Sequence, residues 1–431
     1  MSLASLSPLD AAARLAGRRG RVLLHAARSD DQLGRYTFAA AEPDATLIAR
    51  GRSLVLLDAG GRPVRRFTGD PLDAAEAFLA DHGCRLEPRG DAAPEPRVIG
   101  YFGYDLARVI EQLPGGAALG HTGPDLWLAA YGAVARWADG EMVITGSDGG
   151  ARDRLAAALT RPAPPALAPV FQRLVASDDD AHHLARIERI RDHLAAGDVE
   201  LVHLARRLVA RITAPGDALA LHAALAEVAP SPYSALIELD GTTLVAAATE
   251  RFLAARGDHI ETRAAPAERP RLVDIARNDL GRIAETGSLA VVPGDAEPPP
   301  EAPPEVPDEP AAPARITGRP RRGTGPAALL RATFPAAAVT GAPRLRAMQL
   351  IDELEPSRRG PYGGALGYFG ADGALELALA SRIGVLGQGE LRVHVGGAIA
   401  ADTDTAAALA DTARGAAPWL AALARLAQPT E

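Results

Sequence analysis

Short runs of alternating apolar and polar residues, bounded by Gly, Pro and Asp, dominate the first third of the chain. Residues 21–25, 35–38, Ala45–Arg50 and 53–58 read as strands, the last two split by Gly51. Residues 8–17 and Pro71–Asp81 read as helices. A strand follows over 97–104, then a helix over 105–113 closed by Pro114-Gly115-Gly116. Residues 126–137 and Glu141–Thr145 are predicted to pair as strands through the turn Ala138-Asp139-Gly140. So many strands with so few helices between them predict an α+β fold. Large antiparallel-sheet layers flanked by helices fit better than a doubly wound sheet.

Further along, Leu184, Ile187, Ile190 and Leu194 give residues 181–194 one apolar helical face. His182, His183 and His193 lie on or beside that helix without the spacing that would turn two imidazoles to one metal. The most informative stretch is 334–369, which reads as a turn, a helix, a Gly/Pro corner and a strand. Pro343 stands where a helix begins, the position at which its missing N–H costs nothing. Leu345, Met348, Ile351 and Leu354 recur every third residue, and Glu355-Pro356 ends the helix. Free N–H groups near Gly341 and Ala342, beside the Thr340 hydroxyl, would seat a carboxylate. Gly363-Gly364 would let a ligand approach the backbone. On shape alone the stretch is first of all an ordinary αβ unit with a capped helix, because every helix start carries such donors.

Composition removes several possibilities. Lysine is absent, so all 46 basic residues are Arg, and any mechanism needing a catalytic lysine is excluded. A net charge of -8 with no basic run gives no reason to expect nucleic acid. Cys84 is the sole cysteine, which rules out a disulfide framework and a cysteine-based metal site. Charges at Asp10, Arg14, Arg18 and Arg19 argue against a signal peptide, and no apolar run is long enough to cross a bilayer. The chain is expected in the cytoplasm, off the membrane. Its 431 residues predict two lobes or one composite domain, with the Pro/Ala-rich stretch 161–170 as the boundary. Residues 293–326 are rich in Pro, Glu, Ala and Arg and are expected to form an extended or disordered loop.

The wording of the 334–369 stretch says more. VTGAP, RAMQLIDELEP and RRGPYGGALGYF together resemble the C-terminal core of the chorismate-utilising enzymes, which include the large subunits of anthranilate synthase and aminodeoxychorismate synthase. LGRYTFAAAEP, GYFGYDLARVIEQLP and GPDLWLAAY resemble that family's N-terminal region, with Asp105-Leu106-Ala107-Arg108 closer to the aminodeoxychorismate side. PSPY at 230–233, ATERFL at 248–253 and LVDIARNDLGR at 272–282 continue the series in the family's order. The resemblance implies an N-terminal region over 1–165 and a chorismate-binding domain over 171–431. It also implies amination of chorismate with ammonia from a glutamine amidotransferase partner, and a magnesium ion. By the same resemblance Thr340 and Gly341 form a carboxylate-cradling turn, Tyr362 faces substrate, Arg382 binds a carboxylate, and Gly396 and Gly397 present a glycine strand.

The departures are equally specific. Ala398 replaces a usual glycine, and residues 265–272 omit the helix that carries magnesium-binding glutamates. Pro266 stands where aminodeoxychorismate enzymes often place a lysine nucleophile. No His occurs in 293–326, the region corresponding to the strand with the family's catalytic histidine. Asp411 is the one candidate metal ligand near the C-terminus, and Gly415 replaces a lysine. Two readings follow: an enzyme resembling aminodeoxychorismate synthase component I with incomplete catalytic parts, or a non-catalytic paralogue that keeps chorismate or partner binding.

Overall fold

The computed structural model describes residues 3–29, 33–86, 93–115, 117–118, 123–266, 270–292 and 313–427. Two large sheets, antiparallel at every pairing, lie at its centre. The first runs in the order Val170–Phe171, Leu201–Ala214, Glu390–Ala400, Ile383–Gly387, Thr242–Ala248, Tyr233–Leu239, Val22–His25, Thr37–Ala40, Val134–Ala138, Glu141–Thr145. Two short strands, Val175–Ala176 and Gly341–Ala342, also pair with Leu201–Ala214. The second runs Ala290–Val292, Pro313–Gly318, His259–Pro266, Arg251–Arg256, Leu375–Leu379, Ala365–Gly370, Pro96–Phe102, Leu126–Ala130, Ala45–Arg50, Ser53–Leu57, Pro63–Thr68. Each sheet therefore draws strands from both sides of residues 161–170, and no gap between sheets falls at that stretch.

Burial explains the layering. Phe38, Tyr101, Trp127, Ile237, Leu366 and Val385 come from both sheets and form one buried cluster between them. A second cluster packs helices Pro8–Arg14, Ala218–Val228 and Thr405–Leu426, with Trp419 fully buried, on the outer face of the first sheet. A third packs Pro71–Asp81 and Pro326–Thr333 on the outer face of the second. Pro71–Asp81 forms where the pattern places it because Asp70 accepts from the N–H groups of Leu72 and Asp73 and Pro71 opens the first turn.

Several expectations need correction. The 126–137 run is two strands, Leu126–Ala130 in the second sheet and Val134–Ala138 in the first, so the chain changes sheets at Tyr131-Gly132-Ala133. Residues 105–113 give only a 3-10 turn, Tyr104–Leu106, and a short helix, Ala107–Ile110. Of the supposed loop 293–326, residues 293–312 lie outside the described residues. Pro313–Gly318 is a strand between His259–Pro266 and Ala290–Val292, and Pro326–Thr333 is a helix. Ala314 and Ile316 alternate into the core, which gives this strand an apolar face despite the surrounding prolines. In helix Arg344–Leu354 the buried side chains include Ala347, Met348, Leu350 and Ile351, while Leu345 is 42% exposed. A three-residue spacing drifts by about 60° per step around a helix of 3.6 residues per turn, so Leu345 and Leu354 end on opposite sides. The two GYFG segments are not a repeat but neighbours, with Gly100 directly across from Gly367 on paired strands.

Candidate functional site

The long strand Leu201–Ala214 gathers most of the expected residues. Along one edge Val202 pairs with Gly341 and Leu201 with Ala342, and the His203 N–H donates to the Thr340 carbonyl at 2.9 Å. Along the other edge His203 lies opposite Ala398, Leu204 opposite Gly397 and Ala205 opposite Gly396. Side chains alternate along a strand, so His203, Ala205 and Arg207 share a face with Ala398, Gly396 and His394. Tyr362 closes this face. Its hydroxyl is hydrogen-bonded to His203 Nε2 at 2.9 Å, and its ring stacks on His394 at 5.6 Å between centroids.

The turn before the helix differs from the expectation. Helix Arg344–Leu354 starts three residues after Gly341, with Pro343 as its N-cap, and Gly341 and Ala342 belong to a strand pair. Thr340 is fully buried, and its hydroxyl donates to Ala336 O at 3.0 Å. Gly341 has φ +143, and a Cβ there would collide with the Leu201 carbonyl oxygen, so glycine lets the two strands close. At Gly364 a Cβ would collide with the Phe102 carbonyl oxygen. Its small size serves the protein's own backbone.

A buried ion pair fastens both walls. Arg359 donates through Nε to Glu355 Oε2 at 2.9 Å and through Nη2 to Oε1 at 2.6 Å. The same guanidinium donates to Val339 O at 2.5 Å and His203 O at 2.7 Å, and Glu355 Oε1 accepts from the Ala205 N–H at 2.8 Å. Arg359 also lies 4.7 Å from the Tyr104 ring centroid and 5.6 Å from that of Tyr362. Burial is the largest influence and works against its charge, but Glu355 together with the Tyr104 and Tyr362 phenols keeps its pKa raised. Burial pushes the Tyr362 phenol up to about 12, with Arg359 opposing, so it stays protonated near neutrality. Beside the helix start, Arg344 Nη1 donates to Asp279 Oδ2 at 2.6 Å. Burial nevertheless pushes that carboxyl up to about 6.

Arg382 lies at the bend between strands Leu375–Leu379 and Ile383–Gly387, two residues beyond Ala380, whose backbone bonds Gly363 and Gly364 next to Tyr362. It is half-buried; burial raises the Glu250 carboxyl, and the Arg382 charge opposes that rise without cancelling it. Gly397 faces the other side of its strand, where a Cβ would collide with the Asp411 side chain. Asp411 is ion-paired with Arg414 one turn along the same helix. Among the described residues no group of three or more His, Cys, Asp and Glu side chains converges to hold a metal ion. Residues 267–269, including Glu268, lie outside them. A single carboxylate already matched by a guanidinium does not fit a magnesium site, which needs one or two carboxylates free to bind the ion. His203, His394, Glu355 and Arg359 are the site residues that sequence reasoning missed. The i, i+4 acid–base pair just after the helix was the available signal for the last two.

Comparison with known proteins gives the family and the fold. The model of the chorismate binding enzyme family matches residues 24–265 and 266–420. The chain belongs to this family. The break between the two matched pieces falls at Pro266, where strand His259–Pro266 passes to helix Pro270–Gly281. Aminodeoxychorismate synthase component 1 of Klebsiella aerogenes is 31% identical over 435 residues, covering 91% of each chain. Anthranilate synthase component 1 of Streptomyces coelicolor is 31% identical over 484 residues, covering 98% of this chain and 87% of its own. The structure of anthranilate synthase component I from Streptococcus pneumoniae superposes with a TM-score of 0.77 at 24% identity, over 91% of this chain and 93% of its own. The menaquinone-specific isochorismate synthase of Escherichia coli gives 0.66 at 20% identity, over 96% and 91%. These two share the fold: two large antiparallel sheets with helices outside. No helix among the described residues is long and apolar enough to cross a membrane.

Proposed function

We propose that this chain binds chorismate against the strand face of His203, Ala205, Gly396 and Ala398, and replaces its 4-hydroxyl with an amino group. The ammonia would come from a glutamine amidotransferase partner. The observation that carries this reading is the meeting of Thr340–Gly341, Tyr362 and Gly396–Gly397 on one short segment, 202–205. Arg382, two residues from the Gly363–Gly364 contact, would supply a guanidinium for a substrate carboxylate. The wording around Asp105 and the Klebsiella relative support 4-amino-4-deoxychorismate as product. Incubating the purified chain with chorismate and ammonium, which bypasses the partner, and separating the products by chromatography tests the reading. Aminodeoxychorismate is the expected product. Anthranilate would move the chain to the other branch, and unchanged chorismate would remove the amination.

A second reading is favoured by the Asp411–Arg414 pair and by the lack of a converging metal-ligand group among the described residues: a paralogue that binds chorismate without transforming it. Calorimetry separates the two, since binding without turnover belongs to the second reading alone.

A further inference from the structure

The proposed substitution needs a proton for the departing hydroxyl, and the histidine that the resemblance implies is absent from 293–326. The structure offers another. Of the ten histidines in the sequence, the described ones are mostly engaged away from the proposed chorismate crevice, the strand face of His203, Ala205, Gly396 and Ala398. His25 and His222 contact each other at 3.2 Å, and His182 and His193 bond Asp179 and Asp198. His82 bonds the Phe78 carbonyl, His183 is buried beside Thr412, and His259 lines a separate cavity of about 280 Å³ with Tyr368 and Glu376. His203 and His394 remain at the crevice, and of these His203 makes the 2.9 Å hydrogen bond to Tyr362.

Its placement is fixed from both sides. The His203 N–H donates to Thr340 O and its carbonyl accepts from Arg359, which fixes the backbone, and the hydrogen bond from Nε2 to the Tyr362 hydroxyl orients the ring. The ring of Tyr362 is held between His394 and the Arg359 guanidinium. The imidazole is half-buried on the strand face that Tyr362 closes, while Tyr362 itself is 3% exposed.

We propose that His203 is the proton source of this site, acting through the Tyr362 hydroxyl on the leaving oxygen of chorismate. This rests on the amination reading above. Ammonia brings its lone pair to the ring and a C–N bond forms. The C–O bond to the 4-hydroxyl breaks, its electron pair leaves with oxygen, and Tyr362 O–H hands over its proton so that water departs. The Nε2–H of the His203 imidazolium refills the phenol in the same event, so no phenolate forms in a site where burial disfavours one. The new ammonium then loses a proton, which restores the imidazolium. His203 is thus a positioning residue and proton reservoir behind Tyr362.

The test compares the wild-type chain with His203→Gln, Tyr362→Phe and, as a control outside the crevice, His259→Gln. Each is assayed with chorismate and ammonium across pH and titrated with chorismate by calorimetry. His203→Gln and Tyr362→Phe should each lower kcat by about 10²–10⁴-fold while leaving the chorismate Kd within about threefold. The wild type should show a single-ionisation limb between about pH 5 and 8 that His203→Gln lacks. His259→Gln should match the wild type in both respects. Turnover in His203→Gln within tenfold of wild type, or retention of the limb, overturns the assignment while leaving amination intact. So does a loss of affinity as large as the loss of kcat, which would make His203 a binding residue only. A wild type without turnover removes the amination reading and this inference together.

Discussion

Glu355 and Arg359, one helical turn apart in sequence but placed after the helix has ended, form a doubly hydrogen-bonded pair that is almost wholly buried. The arginine holds the carbonyls of Val339 and His203, while the glutamate receives the Ala205 N–H. Removing one partner leaves the other charge uncompensated in the interior. Arg359→Met should therefore lower stability by about 3–5 kcal/mol, read as the shift in a urea midpoint. The double replacement with Glu355→Leu should cost less than the sum of the singles, because no lone charge then remains. Equal additivity would mean that the pair does not act as a unit.

Gly341 closes the other wall. With φ +143 and the Leu201 carbonyl oxygen where a Cβ would go, Gly341→Ala must strain the backbone or part the short strand pair. A loss of about 1–3 kcal/mol is expected, with chorismate affinity falling as the turn moves away from His203. Denaturation and calorimetry on the same preparation check both halves. An unaltered midpoint would show that the turn relaxes freely.

Much of this architecture was legible in the sequence where local chemistry and tertiary packing agree. Pro71–Asp81 follows from its Asp cap and Pro start, and the strands at Ala45–Arg50 and Glu141–Thr145 follow from alternation and bounding turns. What failed was information that only the fold holds. Nothing local says that the chain leaves one sheet for the other at Tyr131-Gly132-Ala133, since both flanking runs are buried strands. Pro313–Gly318 looked too Pro-rich to order, yet two neighbouring strands complete its hydrogen bonds and Ile316 has a core to enter. The site divided in the same way. The Thr340, Tyr362 and Gly396 segments were readable from motif wording, but His203 was one of several polar residues in its strand, alongside Arg206, Arg207 and Arg211. Only the fold brings Tyr362, 159 residues further on, to its ring.

A metal test follows from the donor set. With Asp411 matched by Arg414 and no converging group among the described residues, chorismate binding should not depend on magnesium. Calorimetry in a chelator and in millimolar magnesium should give dissociation constants within about threefold of each other. Affinity that rises tenfold or more with the ion would reveal ligands elsewhere, with residues 267–269 the first place to look.

The paired imidazoles of His25 and His222 give stability a pH dependence. Burial lowers His25 to about 4 and His222 to about 3 from an ordinary 6.5, and at His222 the neighbouring His25 adds to it. Both are neutral in the folded chain at pH 7. As pH falls below 6.5 the unfolded chain takes up protons that the folded one refuses, so stability declines from there towards pH 4. The urea midpoint should fall between pH 7 and pH 5, and should fall less in His25→Leu, which removes one of the two groups. An identical decline in the variant would assign the effect to other groups, of which Asp279, pushed up to about 6, has the opposite sign. A carboxyl raised in the folded state holds its proton there more tightly than in the unfolded chain, so it favours folding as pH falls.

On the proposed reading, Arg382 supplies the guanidinium for a substrate carboxylate. It stands at the bend that follows the Gly363–Gly364 contact, and Glu250 is the acidic group whose charge state responds to it. A substrate carboxylate would compete with Glu250 for the same guanidinium. Arg382→Ala should therefore weaken chorismate binding by about tenfold or more, as loss of a charge-assisted contact requires. Glu250→Gln, which removes the competitor and keeps the shape, should leave affinity unchanged or raise it. If Arg382→Ala binds as tightly as the wild type, the guanidinium serves Glu250 and the bend, and the carboxylate must be held by other groups.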